Sequence, residues 1–187
     1  MNSEEFSKRQ ELEQKKAGWE EKIREVELLA DGLGLGVDEG IKETVAAFQL
    51  CDVNTTGSHE GKIDRHPAPY IDVMSPDTDL LYKNLFQSNN EQEKIKIREE
   101  ITKLNLEERK KIKALLEEFY LGRINESEAR LFIEELALGW SRVQSRGANA
   151  QENEKDEAVI REKLDAFKEE MRLFTEFLKS KYFSSTK

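Results

Sequence analysis

Apolar residues recur along this chain at two periods, three to four residues over most of its length and two over a few short runs. The switches between them mark its elements. Leu12, Trp19, Ile23, Val26 and Ala30 form one stripe, which predicts an N-terminal amphipathic helix over residues 1–31. It ends at "DGLGLG", where Gly32, Gly34 and Gly36 break the pattern. Asp38 is placed to cap a short helix running to Leu50, with Ile41, Val45 and Phe48 on its inner face. Two strands follow: "CDVNTTGS", then a loop rich in glycine and proline, then "YIDVM", where Tyr70, Ile71, Val73 and Met74 are good strand formers. Ser75 and Pro76 open a further helix, and helical spacing resumes from Glu91 to Leu104. Asn105 and Glu108 have the spacing of a capping box, so a fresh helix is expected there. Ile112, Leu115, Leu116 and Phe119 line its inner face, and Gly122 ends it.

The C-terminal third carries the strongest periodicity. Ile160, Leu164, Phe167, Met171, Phe174 and Leu178 repeat at 4-3-4-3-4 spacing, a coiled-coil-like seam on a helix expected from about Glu152 to Tyr182. Such a seam packs either on the chain's own core or on a partner helix, including a second copy. The segment "NESEARLFIEELALGWSRVQSRG" resists assignment from local signals. Asn125 with Glu128 suggests a helix cap, whereas "WSRVQS" after Gly139 reads as a strand leaving a turn.

"DEGIKETVAAF…TTGSHEGKIDRHPAPYIDV" resembles an uncharacterised bacterial protein family with a Ser-Cys-Glu-Gly-His signature between a helix and a proline-containing strand. The likeness continues at "LLEEFYLGR" and at "RLFIEEL…WSRVQSRG". Ser58, Glu60 and Gly61 match the signature, while His59 stands at its Cys and Lys62 at its His. The family has no established activity, so the resemblance implies a fold rather than a reaction. It also implies strand–turn–strand over residues 126–145, against local helix propensity. The resulting expectation is a helix-dominated α+β protein with a small antiparallel sheet of about four strands. Its parts are the helix at 1–31, an α+β core at 37–147, and the C-terminal helix at 151–184.

Charge and composition then narrow the function classes. Of 187 residues, 37% are charged and 37% hydrophobic, lean for a thick core and suited to long amphipathic helices. A net charge of −9 argues against general nucleic-acid binding, despite the basic run Arg109, Lys110, Lys111 and Lys113, which reads as a solvated helix face. A single cysteine, Cys51, excludes an intrachain disulfide and fits a reducing compartment. The start "MNSEEFSKRQELEQKK" lacks the apolar core of a secretory signal, and no apolar run is long enough for a membrane span. A cytoplasmic location and no membrane partner are expected.

Candidate chemistry gathers in residues 54–73, which hold both histidines and two of the three prolines. His59, Glu60, Asp64 and His66 are possible ligands for a divalent metal, although they do not have the H-E-x-x-H spacing. Ser58 would need His66 to return across the hairpin to serve as its base. Thr56 and Ser58 with backbone amides could cradle an anion, completed by Arg142 and Gln144 from a neighbouring strand. A purely structural hairpin explains the same residues. The "GLGLG" run is not a phosphate loop, because a helix precedes it and Asp38 and Glu39 would repel the anion. The leading expectation is a non-catalytic interaction module with no cofactor, acting through the helical seam and a pocket on the sheet. The alternative is a metal-dependent enzyme or small-ligand binder using the Thr56–His66 loop, with ligand contacts from Thr56, Ser58, His59, Glu60, Arg142 and Gln144.

Overall fold

A computed structural model describes residues 3–30, 34–123, 127–151 and 154–185. Helix α1 (Ser3–Glu27) is followed by a single 3-10 turn at Glu39–Ile41 that leads into α2 (Lys42–Leu50). Strands β1 (Thr55–His59) and β2 (Tyr70–Val73) come next, then helices α3 (Thr78–Gln87) and α4 (Glu91–Phe119). The chain continues through β3 (Leu131–Ala137), β4 (Trp140–Ser145), α5 (Ala148–Gln151) and α6 (Glu157–Ser184). The four strands form one antiparallel sheet in the order β1-β2-β4-β3. This is the helix-dominated α+β architecture expected from the sequence, including the hairpin at β3–β4.

That hairpin forms against local propensity because its alternate residues enter the core. Leu131 and Val143 join Ile71 and Val73 in a cluster with Phe48, Ile112, Phe119 and Phe174 from α2, α4 and α6. Tertiary burial outweighs the few tenths of a kcal/mol per residue that favour helix. Gly139 makes the turn at φ 71°, a left-handed conformation, and a Cβ there would lie 2.5 Å from Ile101 Cγ2. No larger residue fits.

The capping box expected at Asn105–Glu108 does not interrupt α4, which runs unbroken through both residues. Both side chains are buried and serve the sheet instead. Asn105 Oδ1 accepts from Ser141 Oγ on β4 at 2.9 Å, and Glu108 Oε1 accepts from the Asn54 N–H at 3.2 Å. The cap that forms is Asn90, whose side chain accepts from the N–H groups of Gln92 and Glu93. Helix α3 starts at Thr78, after a turn closed by the Thr78 N–H on the Ser75 carbonyl. Asp156 caps α6, which begins five residues later than its spacing suggested. Asn125 and Gly32 lie outside the described residues.

The seam on α6 is not a surface. Leu164, Phe167, Met171, Phe174 and Leu178 are buried, and Ile160 is half-buried. Phe174 meets Phe48 edge-on at 5.7 Å and Phe119 at 5.1 Å, and Thr175 bonds Thr44 of α2 at 2.8 Å. Five of the six residues thus pack within the chain's own fold, and nothing in this arrangement supports the expected partner helix or second copy on the seam. On α1, Trp19 and Val26 are buried, but Leu12 is 42% exposed. The Tyr182 hydroxyl donates to the Lys15 carbonyl, and Trp19 packs on Tyr182 and Phe183. No helix among the described residues is long and apolar enough to cross a membrane.

Candidate functional site

Side chains alternate across a sheet, so register decides which residues share a face. Ile71 pairs with Val143, and both point into the core. On the opposite face Tyr70 stands beside Gln144 and His59, Asp72 beside Arg142 and Gly57, and β3 adds Phe132 and Glu134. None of the three buried apolar clusters includes a residue of this face. It is the open side of the sheet.

Arg142 organises it. Its Nε and Nη2 donate to Asp72 Oδ1 and Oδ2 at 2.7 and 3.0 Å, a bidentate pair with both side chains largely shielded from water. Gly57 leaves room for the carboxylate, since a Cβ there would lie 3.1 Å from Asp72 Oδ2. The Arg142 guanidinium sits 3.6 Å from the centre of the Tyr70 ring. His59 stacks nearly parallel to Tyr70 at 5.7 Å, and His66 meets both rings edge-on, at 5.0 Å from Tyr70 and 5.9 Å from His59. Beside this stack, Gln144 Nε2 donates to Glu134 Oε1 at 2.5 Å and to Asn149 Oδ1 at 3.0 Å.

Burial works against charge on Arg142, but Asp72 outweighs it and holds the guanidinium pKa above its ordinary value. Burial raises the Tyr70 phenol. Burial also lowers His59, partly offset by the Asp38 and Glu60 carboxylates and reinforced by repulsion from His66 and Lys62, so its pKa lies below the ordinary value. Its Nδ1 accepts from the Gly61 N–H at 3.0 Å, which leaves the ring proton on Nε2.

The loop after His59 is fastened to the start of α2. Glu60 Oε2 accepts from the Gly40 N–H at 2.8 Å, and Lys62 Nζ bridges Asp38 Oδ1 at 2.8 Å and Glu60 Oε1 at 3.1 Å. Burial raises both carboxyls, but hydrogen bonds and the Lys62 ammonium bring Asp38 and Glu60 net below their ordinary values. Gly61 adopts φ 77° against α6, where a Cβ would lie 2.8 Å from Leu164 Cδ1 and 2.9 Å from the Pro69 nitrogen. Glu60, Gly61 and Lys62 thus serve architecture.

The sequence-derived candidates separate into three places. His59, Arg142 and Gln144 come together on the open face. Glu60 turns away toward Gly40. Thr56 and Ser58 line a groove of about 390 Å³ at the outer edge of β1, beside Leu35 and Val37. Ser58 is in register with Ile71 rather than Tyr70, on the other side of the strand from the histidines, so the Ser58–His66 pair does not form. The metal set His59, Glu60, Asp64 and His66 is not assembled either. Asp64 is exposed, His66 Nδ1 bonds the Ala68 carbonyl at 2.9 Å, and no three His, Cys, Asp or Glu side chains converge among the described residues.

Comparison with known protein families, curated proteins and solved structures finds no match. The likeness to the Ser-Cys-Glu-Gly-His family is carried by the quoted residues alone. Tyr70, Asp72, Phe132 and Glu134 were not singled out from the sequence as site residues. Their signal is the period of two shared by "YIDV" and "WSRVQS", which becomes a face only once β2 and β4 are known to be neighbours.

Proposed function

We propose that this chain is a non-catalytic binding module that docks another protein on the open face of its sheet. The observation that supports this reading is a division of labour on that face. Its charged groups and most donors are already engaged, Arg142 with Asp72 and Gln144 Nε2 with Glu134 and Asn149, while rings remain at the surface. Gln144 Oε1 is the one buried side-chain atom of the face left without a partner among the described residues. Trp140 is 38% exposed, and Tyr70, His59, His66 and Phe132 are half-buried. Aromatic residues and arginine concentrate in protein interfaces because they offer large rigid contact areas with few torsions to freeze. A face whose charges are already paired favours recognition over proton transfer.

The test is photo-crosslinking in cells with a benzophenone amino acid placed at Trp140 or His66, and at exposed Glu162 of α6 as control. A discrete protein adduct from the first two positions and none from Glu162 supports the reading. No adduct, or equal labelling from all three, contradicts it.

A second reading rests on the groove beside β1, lined by Thr56 and Ser58 together with Leu35, Val37 and Val45. Apolar walls with a few convergent polar groups are the make-up of small-ligand sites. Enhanced fluorescence of anilinonaphthalene sulfonate that is lost in Thr56→Val/Ser58→Val supports it. Fluorescence unchanged by the double variant removes it.

A further inference from the structure

Strand β3 closes the other side of the sheet, and its outer edge is left unpaired. Both groups of one residue in an antiparallel strand point the same way, and successive residues alternate. The Arg130 carbonyl accepts from the Arg146 N–H at 3.0 Å, facing β4, while the Leu131 N–H donates outward to the Tyr120 hydroxyl at 2.7 Å. Ile133 and Glu135 therefore also face outward. Their N–H and C=O groups take no hydrogen bond from the described residues. Natural edges are blunted by proline, by a covering element or by charge that repels a second strand. Here α4 stands back, leaving a groove of about 520 Å³ between its C-terminal half and the strand edge.

The groove is basic in an acidic protein. Arg109, Lys110 and Lys113 on α4, with Arg130 and Arg146 at the end of the hairpin, line it beside Glu117, and Arg109 is already paired with Glu135 of β3 at 2.8 Å. Lys113 and Arg146 are exposed and take part in no ion pair among the described residues. Lys110 pairs with Glu107 one turn away, with both side chains more than half exposed. Between these cations the floor is aliphatic, from Leu106, Leu116 and Ile133. Three residues of the basic run that reads as a solvated helix face thus meet at one place beside an open strand.

We infer that this edge accepts an extended acidic peptide segment from another protein as a fifth strand. The outward N–H and C=O groups of Ile133 and Glu135 supply strand-to-strand hydrogen bonds. Alternate side chains of the added strand meet the aliphatic floor, and its carboxylates meet Lys113, Arg146 and Lys110. Charge complementarity selects the occupant. The surrounding chain, at net charge −9, repels polyanions without such a directed fit. A single-stranded nucleic acid would satisfy the cations but leave the strand amides unpaired, so a peptide fits both features and a polynucleotide only one.

The experiment titrates the full chain into a fluorescein-labelled ten-residue peptide of alternating valine and glutamate, watched by anisotropy. A valine–lysine counterpart and a ten-nucleotide oligothymidine serve as competing probes. Binding of the glutamate peptide, with roughly ten-fold weaker affinity in Lys113→Glu/Arg146→Glu, is expected from removing two interface cations. Both substitutions are at exposed positions and leave the core untouched. Amide hydrogen exchange read at Ile133 and Glu135 should slow when the peptide is bound. Ile133→Pro, which deletes an outward N–H that bonds nothing among the described residues, should abolish binding. Equal binding of the lysine peptide, preference for the oligonucleotide, or unchanged exchange at Ile133 and Glu135 would each overturn the proposal.

Discussion

The two faces of the four-stranded sheet are built from neighbouring residues of the same strands, yet they are held by different forces. On the inner face, Ile71, Val73, Leu131 and Val143 are almost completely removed from water by side chains of α2, α4 and α6. On the outer face, Asp72 and Gln144 are equally buried, at 4% and 1% exposure, but by polar and aromatic neighbours. The inner face is stabilised by apolar area and close packing, at roughly 25 cal/mol per Å² removed from water. The outer face depends on paired polar groups, chiefly Arg142 with Asp72 and Gln144 Nε2 with Glu134 and Asn149, each modest when made and costly when broken. Strands two residues out of register would lose both sets together, so each face helps fix the other.

The largest effect is expected where packing is densest. Phe174→Ala should lower stability by about 3–5 kcal/mol, the usual range for emptying a buried phenylalanine site, read as a shift in the urea midpoint. On the outer face, Asp72→Ala leaves the Arg142 guanidinium half-buried without its counter-ion and should cost about 2–3 kcal/mol. A double variant, Asp72→Leu/Arg142→Met, removes both charges and should recover to within about 1 kcal/mol of the parent. Recovery would show that the pair gives specificity more than net stability. If the double variant is as unstable as the single one, the outer face is packed like the inner one and the two faces are not held by different forces.

A smaller effect is expected with pH. His59 has a folded pKa below its ordinary value of about 6.5, chiefly through burial, so the unfolded chain binds a proton that the folded chain refuses. Stability should therefore fall as pH drops from about 6.5 toward the folded pKa, and level off below it. Asp38 and Glu60 are lowered as well, so they act with the same sign, and their contribution is lost only as pH falls below their ordinary values of 3.8 and 4.5. His59→Asn should flatten the upper part of this profile and leave the lower part. A profile unchanged between pH 5 and 7 in the variant would remove His59 as its cause.

Much of the architecture is legible in the sequence because helical and strand periods are strong signals of burial. The six-residue seam on α6 marks a core face correctly, but its spacing is silent on whose core it joins. Asn105 and Glu108 show the limit of short motifs: the capping-box spacing is present, yet both side chains are drawn away by Ser141 and Asn54 from distant parts of the chain. The candidate site is legible in part. His59, Arg142 and Gln144 are found from residue type, whereas Tyr70 and Asp72 acquire meaning only from the pairing of β2 with β4. Glu60 is picked out by residue type, yet its carboxylate takes the Gly40 N–H and the Lys62 ammonium, which ties the loop to the start of α2. Long-range strand order was the missing information.

The smallest stability effect decides the central claim. Phe132→Ser/Trp140→Ser alters two rings of the outer face that touch no buried cluster, and it should move stability by less than about 1 kcal/mol. The decisive measurement is the yield of the protein adduct from a crosslinker at His66 in that double variant, taken beside its urea midpoint. A near-parental midpoint with the adduct lost is the result expected of a docking face. An adduct of parental yield would contradict the account, and so would a midpoint lowered as far as in Phe174→Ala.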